Sequence, residues 1–353
     1  MLVSPAGSSP PEGSKTTETS AAHPTKSTRE KAVIANSMWR TGSTYLANLF
    51  ATAPKYELFY EPLHENIADA EHIETNPEEQ KKRLKEMRHP EMATSLIDIY
   101  KERDPKTDEV LGNLYDPASA FRNVYNEASE ECNEYLLAAA RISRSSGQVP
   151  FFGFCRSGLQ HQSWDGLFRG KNIYLWRDPR EQFRSYGWTE DNRYFIPGTM
   201  AQLLLSRPLA PIVNALSSSW RANGMRMIIN RIPDRSRLAM LRVGRLFAAQ
   251  LSLERVYALF YLSWLASFRS GVQTAEIDFT LNQVAEDTSL REEIEGEFDI
   301  SFDKLRQTPA EVVEGIDYAA IESEVERQFE ALLIADDGSP AANVLLGCET
   351  TGI

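Results

Sequence analysis

One short stretch of the sequence combines residue types that bind anions. Residues 37–46 (SMWRTGSTYL) follow the apolar run AVIA, which predicts a buried strand, a turn and then a helix. The first N–H groups of a helix lack partners within it, and together with the helix dipole they favour an anion. Gly42 permits close approach of the backbone, and Arg40 supplies a positive charge. Hydroxyl donors follow at Ser43 and Thr44.

This loop differs from the usual loop that binds a nucleoside triphosphate. A Walker A sequence is G-x-x-x-x-G-K-[ST], whereas Ser37 stands at its first glycine position and Ser43 at its lysine position. The lysine and the Mg²⁺-binding hydroxyl of that motif serve the β- and γ-phosphates. The absence of the lysine therefore argues against ordinary ATP or GTP hydrolysis. A polar turn with an exposed arginine is the alternative interpretation.

A second stretch, residues 173–188 (IYLWRDPREQFRSYGW), has the same strand-to-helix pattern. Asp178 suits a helix N-cap, and Pro179 suits the first helical position. Arg177 then stands where the strand ends, at the edge of an α/β sheet where ligands bind. Ser185, six residues into the helix, could face the same ligand. The alternative is that Arg177 pairs with an acidic side chain and Ser185 faces solvent.

Together these stretches resemble the sulfotransferases that use 3′-phosphoadenosine 5′-phosphosulfate (PAPS). That family has a P-[KR]-[ST]-G-[ST]-T-like loop for the 5′-phosphosulfate, and R-[DN]-P-[RK] with a serine eight residues after the arginine for the 3′-phosphate. Residues 39–44 (WRTGST) match the first motif with tryptophan in place of proline, and residues 177–180 (RDPR) match the second. The resemblance implies PAPS as cosubstrate, no catalytic metal, and a cosubstrate site of Arg40, Thr41, Gly42, Ser43, Thr44, Arg177 and Ser185.

The resemblance also indicates which residue is the general base. The cytosolic branch uses a histidine after its third strand, but this chain has Cys-Arg-Ser at residues 155–157. The branch that modifies sugars carries an E-P-L-x-H-like segment after its second strand, and residues 61–65 begin with EPLH. The chain is therefore more similar to the bacterial and carbohydrate-type branch, which implies Glu61 as the base. His64 and His161 are alternative bases, and Glu61 could instead cap a helix or form a salt bridge.

The implied reaction is in-line transfer of a sulfuryl group to a hydroxyl of a small molecule, such as a sugar, a lipid or a secondary metabolite. Arg40 would stabilise the negative charge on the departing oxygen. Two alternatives stay open: a P-loop kinase or other nucleotide-triphosphate enzyme, and a catalytically silent nucleotide-binding protein. The sequence does not predict the identity of the acceptor or the oligomeric state.

Short apolar runs alternate with longer amphipathic segments, which is typical of a parallel sheet between two layers of helices. We therefore expect a three-layer α/β fold, similar to P-loop NTPases and sulfotransferases, with a helical insertion near residues 200–232. Strands are predicted at 32–36, 56–60, 151–155, 172–176 and 273–278. Helices are predicted at 43–52, 77–87, 93–103, 117–143, 179–188, 252–270 and 321–333.

Composition bounds the domain organisation. With 353 residues, 42% of them hydrophobic, the chain can form a sizeable core. Residues 1–30 are rich in Ser, Thr, Pro and Gly and are predicted to be a disordered tail. A single domain is expected over residues 31–334, and residues 335–353 are expected to be loosely ordered.

The net charge and the cysteine content indicate which binding partners and which cellular compartment to expect. The net charge of −12 opposes binding to nucleic acid, although five arginines could still converge on a small anion, namely Arg40, Arg156, Arg177, Arg180 and Arg184. Three widely separated cysteines favour neither a disulfide framework nor a metal site, which fits the cytoplasm. The longest apolar run, residues 256–266, is about half the length that a membrane span needs.

Overall fold

The computed structural model describes residues 30–68, 98–126, 128–160, 164, 166–186, 194–234, 236–303, 305 and 311–335. Apart from residues 30 and 335, the two predicted terminal tails lie outside the described residues. The predicted helix at 77–87 lies outside them as well.

In the part of the chain that the structure describes, the centre of the fold is a sheet of five strands, all parallel, in the order β2-β3-β1-β4-β5. The predicted α/β class with a parallel sheet between helices is confirmed. β2 has the predicted bounds, whereas β5 is shorter than predicted because the preceding helix continues to Thr274. The strands are β1 (Glu30–Ser37), β2 (Tyr56–Tyr60), β3 (Val149–Phe154), β4 (Phe168–Leu175) and β5 (Ile277–Phe279).

Two hydrophobic cores cover the two faces of the sheet and produce three layers. Successive side chains of a strand point to opposite faces, and in β1 Ile34 belongs to one core whereas Val33 belongs to the other. The flanking α-helices are α1 (Ser43–Thr52), α2 (Glu130–Ser145), α3 (Pro179–Ser185), α4 (Phe195–Leu205), α5 (Ala210–Ser217), α6 (Ser219–Ile229), α7 (Arg237–Ala248), α8 (Leu253–Thr274), α9 (Leu281–Glu286), α10 (Thr288–Phe298) and α11 (Tyr318–Ala335).

The helical insertion is larger than predicted and consists of α4 to α7, between α3 and α8. Pro211 does not break a helix there, because it stands in the first turn of α5, where proline needs no hydrogen-bond partner. Every residue of α4 is buried. Among the described residues, no helix is both long and apolar enough to cross a bilayer.

The predicted helix at 117–143 is interrupted. Pro117–Ala120 is a 3₁₀ helix, and α2 begins only at Glu130, where the Ser129 side chain accepts a hydrogen bond from the Cys132 N–H. Asp116 receives hydrogen bonds from the Ala118 N–H at 2.9 Å and from the Ser129 hydroxyl at 2.8 Å. These polar side chains favour turns over a continuous helix.

The register of the sheet brings four strand ends together. Ser37 of β1 lies opposite Leu175 of β4, and Asn36 lies opposite Phe154 of β3. On the other side of β3, Gly153 lies opposite Tyr60 of β2. The loops that follow these four strands therefore share one edge of the sheet, where open α/β sheets bind ligands.

Candidate active site

The loop after β1 makes a tight turn into α1. Gly42 has a φ of 100°, a left-handed conformation that glycine adopts without steric cost. Its carbonyl accepts hydrogen bonds from the N–H groups of Tyr45 and Leu46, which begin the helix. The hydroxyl of Thr41 donates a hydrogen bond to the carbonyl of Met38 at 3.0 Å, so its proton is engaged within the loop. The strand, turn and helix predicted for residues 32–52 are thus present.

Two hydroxyl groups of this loop contact the ends of the neighbouring strands. Oγ of Ser43 lies 3.0 Å from Sγ of Cys155, and Oγ1 of Thr44 lies 2.7 Å from the hydroxyl of Tyr60. Burial raises the pKa of the Cys155 thiol to about 12, and burial also raises the pKa of Tyr60. Both groups therefore stay protonated and uncharged at neutral pH, so they support the loop without repelling an anion.

The second motif begins α3 as predicted. The carboxylate of Asp178 accepts hydrogen bonds from the N–H groups of Arg180 and Glu181, and Pro179 stands in the first turn. Nε of Arg177 donates to Oε2 of Glu181 at 3.2 Å. Within the described part of the chain, no residue accepts a hydrogen bond from the two Nη groups of Arg177.

The two motifs meet at one cavity of about 180 Å³. Nε of Arg40 donates a hydrogen bond to Oγ of Ser185 at 3.2 Å, so the loop after β1 contacts α3 directly. Thr41 and His64 are not among the lining residues, and His161 lies outside the described residues. The cavity is lined by Trp39, Arg40, Gly42, Ser43, Thr44, Tyr45, Tyr60, Glu61, Cys155, Arg177, Ser185 and Phe195.

Of five arginines that the sequence offered for an anion site, two line this cavity, namely Arg40 and Arg177. Arg180 instead forms two hydrogen bonds, at 2.9 and 2.7 Å, with the carboxylate of Glu322 and so joins α3 to α11. Nε of Arg184 lies 3.9 Å from a carboxylate oxygen of Glu311. The fifth, Arg156, belongs to a buried group of charges beside the cavity.

Glu61 lies at the boundary between the cavity and that group of charges. Its N–H donates to the carbonyl of Gly153 at 2.8 Å, which extends the pairing of β2 with β3 by one residue. Its φ of 47° is left-handed, which is uncommon for a residue other than glycine. Oε2 of Glu61 accepts a hydrogen bond from Nη2 of Arg156 at 3.0 Å. Among the described residues, none donates to Oε1, so this oxygen can accept a proton.

Arg156 connects Glu61 to a second carboxylate, that of Glu65. The Arg156 side chain is 2% exposed, and its Nη1 contacts Oε2 of Glu65. Nε of Arg237 approaches Oε1 of Glu65 to 2.6 Å, and the hydroxyl of Tyr194 donates to the same oxygen at 3.1 Å. Burial alone would raise the pKa of Glu65, but neighbouring positive charges, chiefly that of Arg156, hold it well below its usual range.

His64 lies beside Glu65. Its Nδ1 accepts a hydrogen bond from the Asn66 N–H at 3.1 Å and lies 3.8 Å from Oε2 of Glu65. Since Nδ1 is an acceptor, the ring proton of the neutral form belongs on Nε2. Burial lowers the pKa of His64 against the opposing effect of Glu65, so the neutral form is favoured at neutral pH.

Sequence reasoning missed several residues of the site. Tyr60 and Cys155 end the predicted strands 56–60 and 151–155, so the rule that ligands bind at strand ends would have selected both. Phe195 gave no such signal, because its ring reaches Arg40 from the insertion, 5.8 Å from the guanidinium carbon. Trp39 is buried against the rings of Tyr194 and Phe195, so this tryptophan anchors the loop in an aromatic cluster.

The donors of this cavity suit an anionic ligand. Two guanidinium groups, the hydroxyls of Ser43 and Ser185, and the start of α1 surround it. Among the described residues that line it, Arg40 and Arg177 outnumber the one carboxylate, that of Glu61. No family model, curated protein or solved structure matches the chain.

Proposed function

We propose that this protein transfers the sulfuryl group of PAPS to the hydroxyl of a small-molecule acceptor. One observation carries the proposal: Arg40 of the first motif donates a hydrogen bond to Ser185 of the second, at a cavity that Arg177 also lines. Arg40 and Ser185 are 145 positions apart in the chain, so proximity in sequence does not bring the two motifs together. Their meeting at a single cavity supports a ligand that carries charge at two ends.

The size of the cavity indicates which part of the cosubstrate it would hold. Pockets for small molecules typically measure about 300–1,000 Å³, whereas this one measures about 180 Å³. We therefore assign the phosphosulfate to the cavity, near Arg40, Ser43 and the N-terminus of α1. Arg177 and Ser185 would hold the 3′-phosphate, and the adenosine would extend beyond the cavity.

PAPS would supply an activated sulfur–oxygen bond, and the protein would supply charge stabilisation and a proton acceptor. A new bond forms between the acceptor oxygen and sulfur while the bond from sulfur to the bridging oxygen breaks. Arg40 stabilises the negative charge that the bridging oxygen gains. Oε1 of Glu61 takes the proton of the acceptor hydroxyl, while Arg156 holds Oε2 in place.

Isothermal titration calorimetry with adenosine 3′,5′-bisphosphate tests the nucleotide site. We expect binding without Mg²⁺, strong weakening in Arg40→Ala and Arg177→Ala, and no change in Arg169→Ala. Arg169 is a matched control because it is exposed near the start of β4, at the opposite edge of the sheet. Preference for ATP with Mg²⁺ would instead indicate a kinase or other nucleotide-triphosphate enzyme.

Radiolabelled PAPS tests the transfer itself. Incubation with the protein and a cell extract should label an acceptor, and the label should be absent with Arg40→Ala. Chromatography and mass spectrometry of the labelled product would then identify the acceptor. Nucleotide binding with no transfer to any acceptor would contradict the enzymatic part of the proposal.

A catalytically silent nucleotide-binding protein is the second candidate, and one observation favours it. The carboxylate of Glu61 is paired with Arg156 at 3.0 Å, and a carboxylate that only forms an ion pair does not accept a substrate proton. The two candidates agree on binding of the bisphosphate and differ on transfer. A broad panel of hydroxyl acceptors with labelled PAPS therefore distinguishes them.

A further inference from the structure

Helices α6 and α7 expose an unusual number of large apolar side chains. Among the described residues, five of the eight exposed large hydrophobic side chains lie on these two helices. Isolated exposed apolar residues are normal, but a group of them marks an interaction surface. The five and their exposed fractions are Trp220 (72%), Leu238 (70%), Met227 (65%), Leu246 (59%) and Ile228 (51%).

The two helices, with the described residues that flank them (219–234 and 236–250), form an antiparallel hairpin that is anchored by its opposite face. Nη1 of Arg221 donates to the carbonyl of Gln250 at 2.8 Å, which joins the start of α6 to the end of α7. Phe247 and Met240 of α7 are fully buried, and Gly244 allows the backbone of α4 to approach closely. The exposed apolar residues are thus presented on a fixed surface.

The hairpin also differs from the rest of the chain in charge. Residues 219–250 contain seven arginines and one acidic residue, Asp234, although the chain as a whole carries −12. Asp234 is paired with Arg122 of another segment at 2.9 Å. Within the described part of the chain, no acidic side chain pairs with Arg221, Arg231 or Arg242. The hairpin is therefore a cationic and apolar surface on an acidic protein.

We propose that the α6–α7 hairpin binds the surface of an anionic lipid bilayer. Trp220 and the other exposed apolar side chains would enter the headgroup region, and the arginines would contact lipid phosphates. A polyanion such as RNA would match the charge but leave the apolar side chains exposed to water. A bilayer with anionic headgroups satisfies both features, and its repulsion of the acidic remainder of the chain would orient the protein.

This proposal is independent of the proposed sulfuryl transfer. None of the exposed hairpin residues lines the cavity. The hairpin nevertheless lies close to the site, because Arg237, the first residue of α7, pairs with Glu65, which contacts Arg156. Either proposal can fail without the other, since one concerns nucleotide binding and the other concerns lipid binding.

Co-sedimentation of the full chain with lipid vesicles tests the proposal. Vesicles contain phosphatidylcholine alone or with about a third phosphatidylserine, at low and high salt. We expect binding to the anionic vesicles that weakens with salt. Each arginine near an anionic surface raises the partition coefficient onto vesicles several-fold. The double substitution Arg231→Gln, Arg242→Gln should therefore lower that partition coefficient about 10- to 30-fold. Trp220→Ser with Leu246→Ser should weaken binding even at high salt.

Matched controls change the same residue types away from the hairpin. Arg169→Gln removes an exposed charge at the start of β4, and Ile334→Ser removes a side chain that is 78% exposed on α11. Both should bind vesicles as the wild type does. Equal binding to neutral and anionic vesicles, or unchanged binding by the hairpin variants, would overturn the proposal. A dimer in sedimentation velocity that the hairpin variants abolish would also overturn it, because a second copy would then cover this surface.

Discussion

Arg40 and Ser185 form a hydrogen bond of 3.2 Å although 145 positions separate them in the chain. The contact follows from the parallel pairing of β1 with β4, which places the loops after these strands side by side. Arg40 has a φ of 67°, a left-handed conformation that costs about 1–2 kcal/mol outside glycine. Such strain persists where the surrounding structure imposes it, and it is concentrated at functional sites.

The Arg40–Ser185 contact predicts coupled effects on nucleotide binding. Ser185→Ala should weaken binding of adenosine 3′,5′-bisphosphate by about tenfold, because a hydrogen bond to a charged group is lost. Arg40→Ala should lower the transfer rate by about 10²- to 10³-fold. The double variant should lose less binding free energy than the sum of the single variants, since the two side chains contact each other. Calorimetry on all four proteins measures this coupling, and strict additivity would contradict it.

Glu61 provides a prediction about the chemical step alone. Glu61→Gln keeps an acceptor for Arg156 but cannot take a proton, so the transfer rate should fall by about 10²- to 10⁴-fold. Binding of adenosine 3′,5′-bisphosphate should stay unchanged. The pH–rate profile of the remaining activity should lack the acidic limb of the wild type. A variant with wild-type rate would remove Glu61 from this role.

Arg156 should be required for stability as well as for the position of Glu61. Arg156→Gln leaves the buried carboxylate of Glu65 without its buried partner, and breaking such a pair costs about 3–5 kcal/mol. Urea unfolding measures this loss. The control Arg269→Gln breaks the exposed pair with Glu330 and should change the free energy of unfolding by about 0–1 kcal/mol. Equal effects of the two substitutions would contradict the structural role of Arg156.

We expect position 42, in the loop after β1, to require glycine. A β-carbon at Gly42 would lie 2.3 Å from Cδ1 of Leu281, and the φ of 100° is strained for any other residue. Gly42→Ala should therefore lower stability by about 1–2 kcal/mol from the backbone alone. In the double variant Gly42→Ala, Leu281→Ala, the steric contact with Leu281 should be relieved, whereas the backbone strain at residue 42 should stay. The control Gly224→Ala, with open space in α6, should stabilise by about 0.5–1 kcal/mol.

Much of the fold could be predicted because the local signals agree with each other. The bounds of α1 and β2 match the predicted ranges 43–52 and 56–60, where apolar runs end at glycine, proline or charged residues. The sequence prediction does not include α9 and α10, although Leu290, Ile294 and Phe298 of α10 recur at the four-residue spacing of a helix. The interruption near 117–129 was missed because it depends on side-chain contacts of Asp116.

The candidate site could be predicted only where a motif is continuous in sequence. Arg40, Arg177 and Ser185 belong to such motifs, and all three line one cavity. The pairing of Arg156 with Glu61 and Glu65 joins segments about 90 residues apart, and no local pattern indicates it. Long-range ion pairs of this kind depend on the sheet register, which the sequence does not specify directly.

We expect the free energy of unfolding to depend on pH because of His64. Its pKa lies below the ordinary value of 6.5 in the folded protein, chiefly because of burial. As pH falls below about 6.5, the unfolded chain therefore takes up a proton at His64 before the folded protein does. The free energy of unfolding should decrease over this range, and urea unfolding between about pH 5 and pH 8 measures it.

The substitution His64→Asn isolates this contribution, because asparagine can still accept a hydrogen bond from the Asn66 N–H but does not titrate. The variant should lose less stability than the wild type as pH falls from about 6.5 to about 5. Glu65 does not interfere, because its folded pKa lies below its usual range, so its stabilising contribution is lost only at more acidic pH. Parallel curves for the two proteins would show that His64 titrates alike in the folded and unfolded states.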